Sequence, residues 1–117
     1  MIGQIDEVVF DCADPEMLVW FWSQVLGGDP VRRDDSWWYV IPPGWTQLSF
    51  QKVPEVRTVK NRLHLDVAVA NIDRATEQAE AIGAARLGVV HHSRAGSFQV
   101  LHDPEGNEWC LVRPADT

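Results

Sequence analysis

The sequence predicts an α+β fold built from two successive βαβββ modules that form a curved mixed sheet around a cleft. Three observations lead to this prediction. A strand, a helix and further strands follow one another twice along the chain. The residues expected to cap the two helices, Asp14 and Asn71, lie 57 positions apart, and the same offset brings Glu7 onto His64. Such a repeat indicates a duplicated supersecondary unit, and 117 residues suit one domain.

The first module is expected at about residues 1–56. Its helix begins where Asp14 offers a capping side chain, Pro15 fits the first helical position and Glu16 favours the helix dipole. Two consecutive glycines end this helix. Three segments of the module are predicted strands: Ile5–Ala13, Trp37–Ile41 and Thr46–Val53.

The second module, expected at about residues 57–117, repeats this plan. Asn71 is predicted to cap its helix, and Gly83 ends it. The run Asp-Pro-Glu-Gly-Asn at 103–107 is a strong turn signal before the last strand. Four segments are predicted strands: Arg62–Ala70, Ala85–Val90, Ser97–His102 and Glu108–Arg113.

Side chains alternate between the two faces of a strand, so each of four predicted strands offers an apolar side and a polar side. We expect Leu63, Leu65 and Val67 to be buried under the helices, and His64 to face a cleft that it shares with Glu7. The polar sides carry these residues: Glu7, Asp11, Gln47, Ser49, Gln51, His64, Asp66, Glu108 and Cys110. Such a face either lines a cleft or is solvated, as in many antiparallel sheets, and the pattern leaves both interpretations open.

The charge of the chain bears on its partners. Seventeen acidic against ten basic residues give a net charge of −7, which disfavours nucleic acid and anionic membranes. No apolar stretch approaches the length of a membrane span, and no secretion signal is recognisable. Two thiols in predicted strands, Cys12 and Cys110, then favour a cytoplasmic location.

Three segments resemble glyoxalase-like domains of the vicinal-oxygen-chelate superfamily. The opening strand and helix read VVFDCADPEMLVWFWSQVLGG, the start of the second module reads RLHLDVAVANIDRATEQAEAIGA, and the closing hairpin reads LHDPEGNEWCLV. They occur in the family's order and span nearly the whole chain. The superfamily includes glyoxalase I, extradiol dioxygenases, methylmalonyl-CoA epimerase, and fosfomycin- and bleomycin-resistance proteins.

The resemblance implies where a metal would be held in metal-dependent members: Glu7, Gln47, His64 and Cys110. The first of these positions is usually His or Gln in the family, and the last is usually a carboxylate. Zinc accepts His, Cys and Glu ligands, whereas the hydrated octahedral ion used in enediolate chemistry does not favour a thiolate. A divalent metal is therefore possible, but the usual ligand set is incomplete, so we assign none to the chain and predict that Mg, Ni and Fe are absent from these positions.

Aromatic residues cluster around the Pro-Pro-Gly turn at 42–44. Trp38 and Trp45 are predicted to contact a ligand together with Gln47 and Cys110, because an aromatic ring at a pocket rim can stack on a planar molecule. Core packing explains the cluster equally well. Trp20 lies off the packing stripe of its helix and suggests a homodimer contact.

Two hypotheses of function follow. A third is that the chain is a partner domain whose cleft is vestigial. The first is a protein that binds a small organic molecule in the cleft, either to sequester it as resistance proteins do or for another activity. The second is a lyase or isomerase acting beside a carbonyl, with Glu7 as base and His64 as acid or ligand. The residues leave open whether the chain is an enzyme.

Overall fold

The computed structural model describes residues 1–54, 59, 61 and 63–115. The chain divides into two compact units, Met1–Arg57 and Thr58–Thr117, and each contains one helix and one four-stranded mixed sheet. The predicted α+β fold of two βαβββ modules is therefore confirmed. No helix in the described part of the chain is long and apolar enough to cross a membrane.

The first module places its helix against one face of its sheet. Its elements are β1 (Glu7–Cys12), α1 (Pro15–Leu26), β2 (Val31–Asp34), β3 (Trp37–Val40) and β4 (Gln47–Lys52). The strands lie in the order β1-β4-β3-β2, with β1 and β4 parallel and the other pairs antiparallel. Phe10 contacts Trp22 of α1 and Phe50 of β4 edge-on, at 5.9 and 5.4 Å between ring centroids. The apolar sides of β1 and β4 therefore face α1, as the alternation predicted.

The ends of α1 follow the sequence signals. The Asp14 carboxylate accepts a hydrogen bond from the Met17 amide at 3.1 Å, and Gly27 follows the last residue with a positive φ of 89°. Trp20 on this helix is 47% exposed.

Strand β2 was not predicted. All four of its residues are exposed, and its sequence VRRD has no apolar alternation. In the turn after β2, the backbone N–H and the hydroxyl of Ser36 both donate to the Asp34 carboxylate. These two bonds, the backbone one more strongly, hold the pKa of the Asp34 carboxyl below its usual value.

The second module repeats the arrangement. Its elements are β5 (Asp66–Ala68), α2 (Ile72–Ala81), β6 (Ala85–Ser93), β7 (Gly96–His102) and β8 (Glu108–Pro114). The strand order is β5-β8-β7-β6, with β5 and β8 parallel. Leu101, Trp109 and Leu111 are buried on the face of the sheet that α2 covers. The Asn71 side chain caps α2 by accepting from the Arg74 amide at 3.0 Å.

The first strand of the second module is shorter than predicted, and one core assignment is wrong. Pairing with β8 begins only at Asp66, so Leu63 lies before the strand and is 84% exposed rather than buried. Leu65 and Val67 are half-buried. Arg62, where the predicted strand began, lies outside the described residues. Strand β6 instead runs beyond its predicted end and includes His91 and His92.

Candidate functional site

In the first module, two of the predicted site residues form one polar group. Glu7 and Gln47 are register partners in the parallel pair β1–β4. The Gln47 amide Nε2 donates to Glu7 Oε2 at 3.2 Å and to Ser49 Oγ at 3.0 Å. Ser49 is fully buried, while Glu7 and Gln47 are half-buried. The face away from α1 therefore presents a hydrogen-bonded Glu–Gln–Ser cluster, as the alternation predicted.

The aromatic residues of β3 divide between the two faces. Trp37 and Tyr39 pair with Gln51 and Ser49, so they share the face of the Glu7 cluster. Trp38 pairs with Phe50 and lies on the face that α1 covers. The structure therefore does not bring Trp38 together with Glu7 and Gln47.

Trp45 lies in the loop between β3 and β4 and is 47% exposed. The Arg33 guanidinium carbon lies 4.0 Å from the centre of the Trp37 ring. Alternation along β3 was the signal that favoured Trp37 and Tyr39 over Trp38.

In the second module, Asp66, which is not among the predicted site residues, lies between His64 and Cys110. Asp66 is the register partner of Cys110, and its Oδ1 lies 3.2 Å from His64 Nε2. One imidazole nitrogen, one carboxylate oxygen and the Cys110 sulfur all lie within 4.8 Å of one another. The side chains of His64 and Asp66 are 51% and 54% exposed, and Cys110 is partly buried. Alternation along the strand places Asp66 on the polar side, and this is the sequence signal that identifies it.

These three residues line a depression on the sheet face away from α2. Its volume is about 370 Å³, and its other lining residues include Phe98, Val112 and the β6–β7 hairpin. Phe98 and Val112 are register partners, so they form an apolar strip beside the polar group. The His91 ring stacks on Phe98 at 4.8 Å between centroids. A volume of this size falls in the range of small-molecule pockets, roughly 300–1,000 Å³.

The two adjacent histidines of β6 lie on opposite faces, as expected for neighbours in a strand. His91 pairs with Phe98, whereas His92 pairs with Ser97 and contacts its hydroxyl through Nδ1 at 2.8 Å. His92 and Ser97 line a separate depression of about 320 Å³ at the beginning of α2. His102, at the end of β7, lines none of the depressions described here.

The donor atoms decide which metal the residues fit. Of the four positions that the family resemblance implied, Glu7 and Gln47 belong to the first unit and His64 and Cys110 to the second. The second unit also supplies Asp66, and its imidazole, carboxylate and thiol are ligand types that zinc accepts. They are not the all-oxygen set that Mg²⁺ prefers.

Comparisons with known proteins agree with this architecture. Residues 7–112 match the family described as Glyoxalase-like domain. Among curated proteins, none matches the sequence. A glyoxalase/bleomycin resistance protein/dioxygenase family enzyme from Burkholderia phytofirmans has 19% identity and a TM-score of 0.79, covering 94% of this chain and 98% of that one. A glyoxalase-related enzyme from Fulvimarina pelagi has 18% identity and a TM-score of 0.75, covering 96% and 88%.

A third similar structure contains a metal. It is a mutant of a genomically encoded fosfomycin resistance protein from Listeria monocytogenes, in complex with Mn(II) and 1S,2S-dihydroxypropylphosphonic acid. Its identity is 12% and its TM-score 0.79, covering 98% of this chain and 93% of that one. At these identities the similarities establish the fold alone, while the sequence match covers most of the chain. From the order of its elements and this match, the chain belongs to the glyoxalase-like domain family.

Proposed function

We propose that this protein binds a small organic molecule in the depression of the second module. The observation that carries the proposal is the convergence of an apolar strip and a polar group in one space of about 370 Å³. Phe98 and Val112 offer the apolar contact, and His64, Asp66 and Cys110 stand together at its polar side. Binding sites for small molecules combine a mostly apolar lining with a few convergent polar groups.

Phe98 is the residue expected to contribute most to affinity. Its side chain is 36% exposed and its ring already stacks on His91, so a planar ligand can extend an existing stack without burying a new polar group. Aromatic pairs contribute roughly 0.5–1.5 kcal/mol beyond the area that they bury. Phe98→Ala should therefore weaken binding of a planar ligand by about threefold to tenfold or more.

The test is a panel of planar organic compounds titrated by calorimetry against matched variants. Phe98→Ala and His64→Gln should weaken binding. Trp20→Ala serves as the control for an exposed aromatic outside the depression, and His102→Gln as the control for a histidine outside it. If binding weakens equally in Trp20→Ala and Phe98→Ala, or not at all, the depression is not the binding site.

The first role that we propose for this binding is sequestration, so the ligand should be recovered from the complex chemically unchanged. The other ligand contacts predicted from the sequence, Gln47, Trp38 and Trp45, belong to the first unit and stay predictions. Trp38 lies on the face that α1 covers, opposite Gln47. Trp45→Ala and Gln47→Ala test the other two residues in the same titration, and unchanged affinity would refute them as ligand contacts.

An acid–base reaction beside a carbonyl is the second candidate function. One observation favours it: the Asp66 carboxylate lies 3.2 Å from His64 Nε2, and a carboxylate in that position orients an imidazole for proton transfer. Glu7 would be the base in this reaction. The measurement is deuterium incorporation next to the carbonyl of enolisable compounds in D₂O. Loss of exchange in both Glu7→Gln and His64→Gln, with exchange kept in His102→Gln, would support it, and exchange unchanged in both would refute it.

A further inference from the structure

We propose that the depression at the beginning of α2 binds a small α-amino acid or another small molecule with the same two charges. Its carboxylate is held by Arg113 together with the His92–Ser97 pair, and its ammonium group by Asp73. The depression has a volume of about 320 Å³, and all four of these residues line it. This inference goes beyond the proposed function, which concerns a different depression and a different class of ligand.

Three strands bring the donor residues into one row. Ser97 of β7 is the register partner of His92 in β6 and of Arg113 in β8. Phe98, which lines the depression of the proposed function, follows Ser97 directly, so the two side chains lie on opposite faces of the sheet. Ser97 and Arg113 also border that depression, and each lies one residue from the end of its strand. The row therefore lies on the α2 side of the sheet, beside the first turn of the helix.

The His92–Ser97 pair offers one hydrogen-bond donor to a ligand, whichever ring nitrogen carries the proton. His92 Nδ1 lies 2.8 Å from Ser97 Oγ. If Nδ1 accepts from the hydroxyl, the proton of the neutral ring is on Nε2, which can donate to a ligand. If Nδ1 donates to the hydroxyl oxygen, the hydroxyl proton is available instead. A carboxylate oxygen accepts from either group, so the pair suits a carboxylate in both tautomers.

The charged residues of the depression have opposite signs and are not paired. Arg113 and Asp73 both line it, and both are exposed. Within the part of the chain that the structure describes, neither residue forms an ion pair. A guanidinium binds a carboxylate through two parallel hydrogen bonds, and a carboxylate accepts from an ammonium group. A ligand with both charges therefore satisfies both residues, whereas a simple anion would be repelled by Asp73.

The rest of the lining limits the size of the ligand. Ala70, Ile72 and Val90 provide apolar contact for a short aliphatic side chain. Asn71 lines the depression too, but its side-chain oxygen already accepts from the Arg74 amide. A volume of about 320 Å³ lies near the lower end of small-molecule pockets, roughly 300–1,000 Å³. The space therefore suits an amino acid with a small aliphatic side chain.

The corresponding depression of the first module, at the beginning of α1, has a different charge. Its volume is about 310 Å³, and its lining contains no imidazole or hydroxyl group among the described residues. One of its two cations, Arg32, is already paired with Asp35. Three carboxylates line it: Asp14, Glu16 and Asp35. This excess of negative charge disfavours a ligand carboxylate, so binding is expected in the second module.

The experiment is a ¹H–¹⁵N NMR titration of the full chain with three matched probes. L-valine carries both charges, 3-methylbutanoate lacks the ammonium group, and 2-methylpropylamine lacks the carboxylate. L-valine should cause saturable shifts of backbone amides among the residues that line the depression. It should bind about twofold to fivefold more tightly than either probe with one charge, because an ion pair between exposed groups is weak.

Two variants that remove one charge each are compared with matched controls in the second module. Arg113→Gln should weaken L-valine binding by about twofold to fivefold and remove its advantage over the amine. Asp73→Asn should remove its advantage over 3-methylbutanoate. The controls Arg94→Gln and Glu77→Gln change exposed residues outside the depression and should bind L-valine as the wild type does.

Three results would overturn the inference: no saturable shifts with L-valine, equal affinity for L-valine and 3-methylbutanoate, or wild-type affinity for L-valine in Arg113→Gln that circular dichroism shows to be folded. Phe98→Ala should leave L-valine binding unchanged, and weaker binding in this variant would place L-valine in the other depression instead. Failure of planar compounds to bind beside Phe98 is a separate result, because L-valine has no planar ring.

Discussion

The turn between β7 and β8 depends on one buried carboxylate, and replacing it should measurably destabilise the protein. Asp103 is only 3% exposed. Its Oδ1 accepts from the amides of Glu105 and Asn107, both at 2.9 Å, and the Asn107 side-chain amide donates to Oδ1 at 3.1 Å and to Oδ2 at 2.9 Å. The change proposed is Asp103→Ala, which removes these acceptors at once.

The magnitude follows from the number and kind of these bonds. A hydrogen bond to a charged group contributes about 1.5–3 kcal/mol net. Two of the bonds share one Asn107 amide, and Glu105 and Asn107 are half-buried, so water can replace part of what is lost. We therefore expect Asp103→Ala to lower the free energy of unfolding by about 2–4 kcal/mol. Asp103→Asn keeps one acceptor oxygen and should cost less, about 1–2 kcal/mol.

Urea unfolding followed by circular dichroism measures both variants. Asp29→Ala, an exposed carboxylate in the first module, is the matched control and should change stability by less than about 0.5 kcal/mol. The β7–β8 turn connects the strands that carry Phe98 and Cys110, so the variant should also weaken ligand binding. If Asp103→Ala unfolds at the same urea concentration as Asp29→Ala, the carboxylate does not hold this turn together.

Three further changes test other parts of the structure. Gly96→Ala should lower the free energy of unfolding in urea by roughly 2 kcal/mol more than Gly88→Ala does. Both glycines have a positive φ, but a Cβ at Gly96 would overlap the backbone of β8, whereas a Cβ at Gly88 would meet open space. Gln99→Met should lower the free energy of unfolding by about 1–3 kcal/mol, because the fully buried Gln99 amide donates to two carbonyls of β6. A variant as stable as the wild type would refute this prediction. In an NMR titration, Asp34 should ionise below its usual pKa, and Ser36→Ala should raise that midpoint only in part, because the backbone donor remains.

The helices could be predicted because their signals are local. Asp14 and Asn71 act as caps within the first turn of each helix, and a side chain that bonds a backbone amide three residues away needs no tertiary partner to do so. Both helices begin one residue after the predicted cap. The burial of Phe50 and Trp109 was likewise readable, since alternation in a strand depends only on the chain's own geometry.

The strands were predicted less well where pairing with another strand defines them. Strand β2 has no burial signal of its own and exists because it pairs with β3 at the sheet edge. Strand β5 is only three residues long, because β8 supplies partners from Asp66 to Ala68, although the apolar alternation begins at Leu63. Sequence periodicity records which residues could form a strand, and hydrogen bonding to a neighbour decides which do.

The candidate site shows the same division. Composition, caps, alternation and the 57-residue offset sufficed by themselves for the α+β modules, and they placed Glu7, Gln47, His64 and Cys110 on polar faces. Only the tertiary structure decided which side chains meet: Gln47 bonds Glu7 and the buried Ser49, Asp66 joins His64 and Cys110, and Trp38 lies on the opposite face from Gln47. The reason is physical, because alternation is a property of one strand, whereas contact between side chains depends on the register between strands that are distant in the sequence.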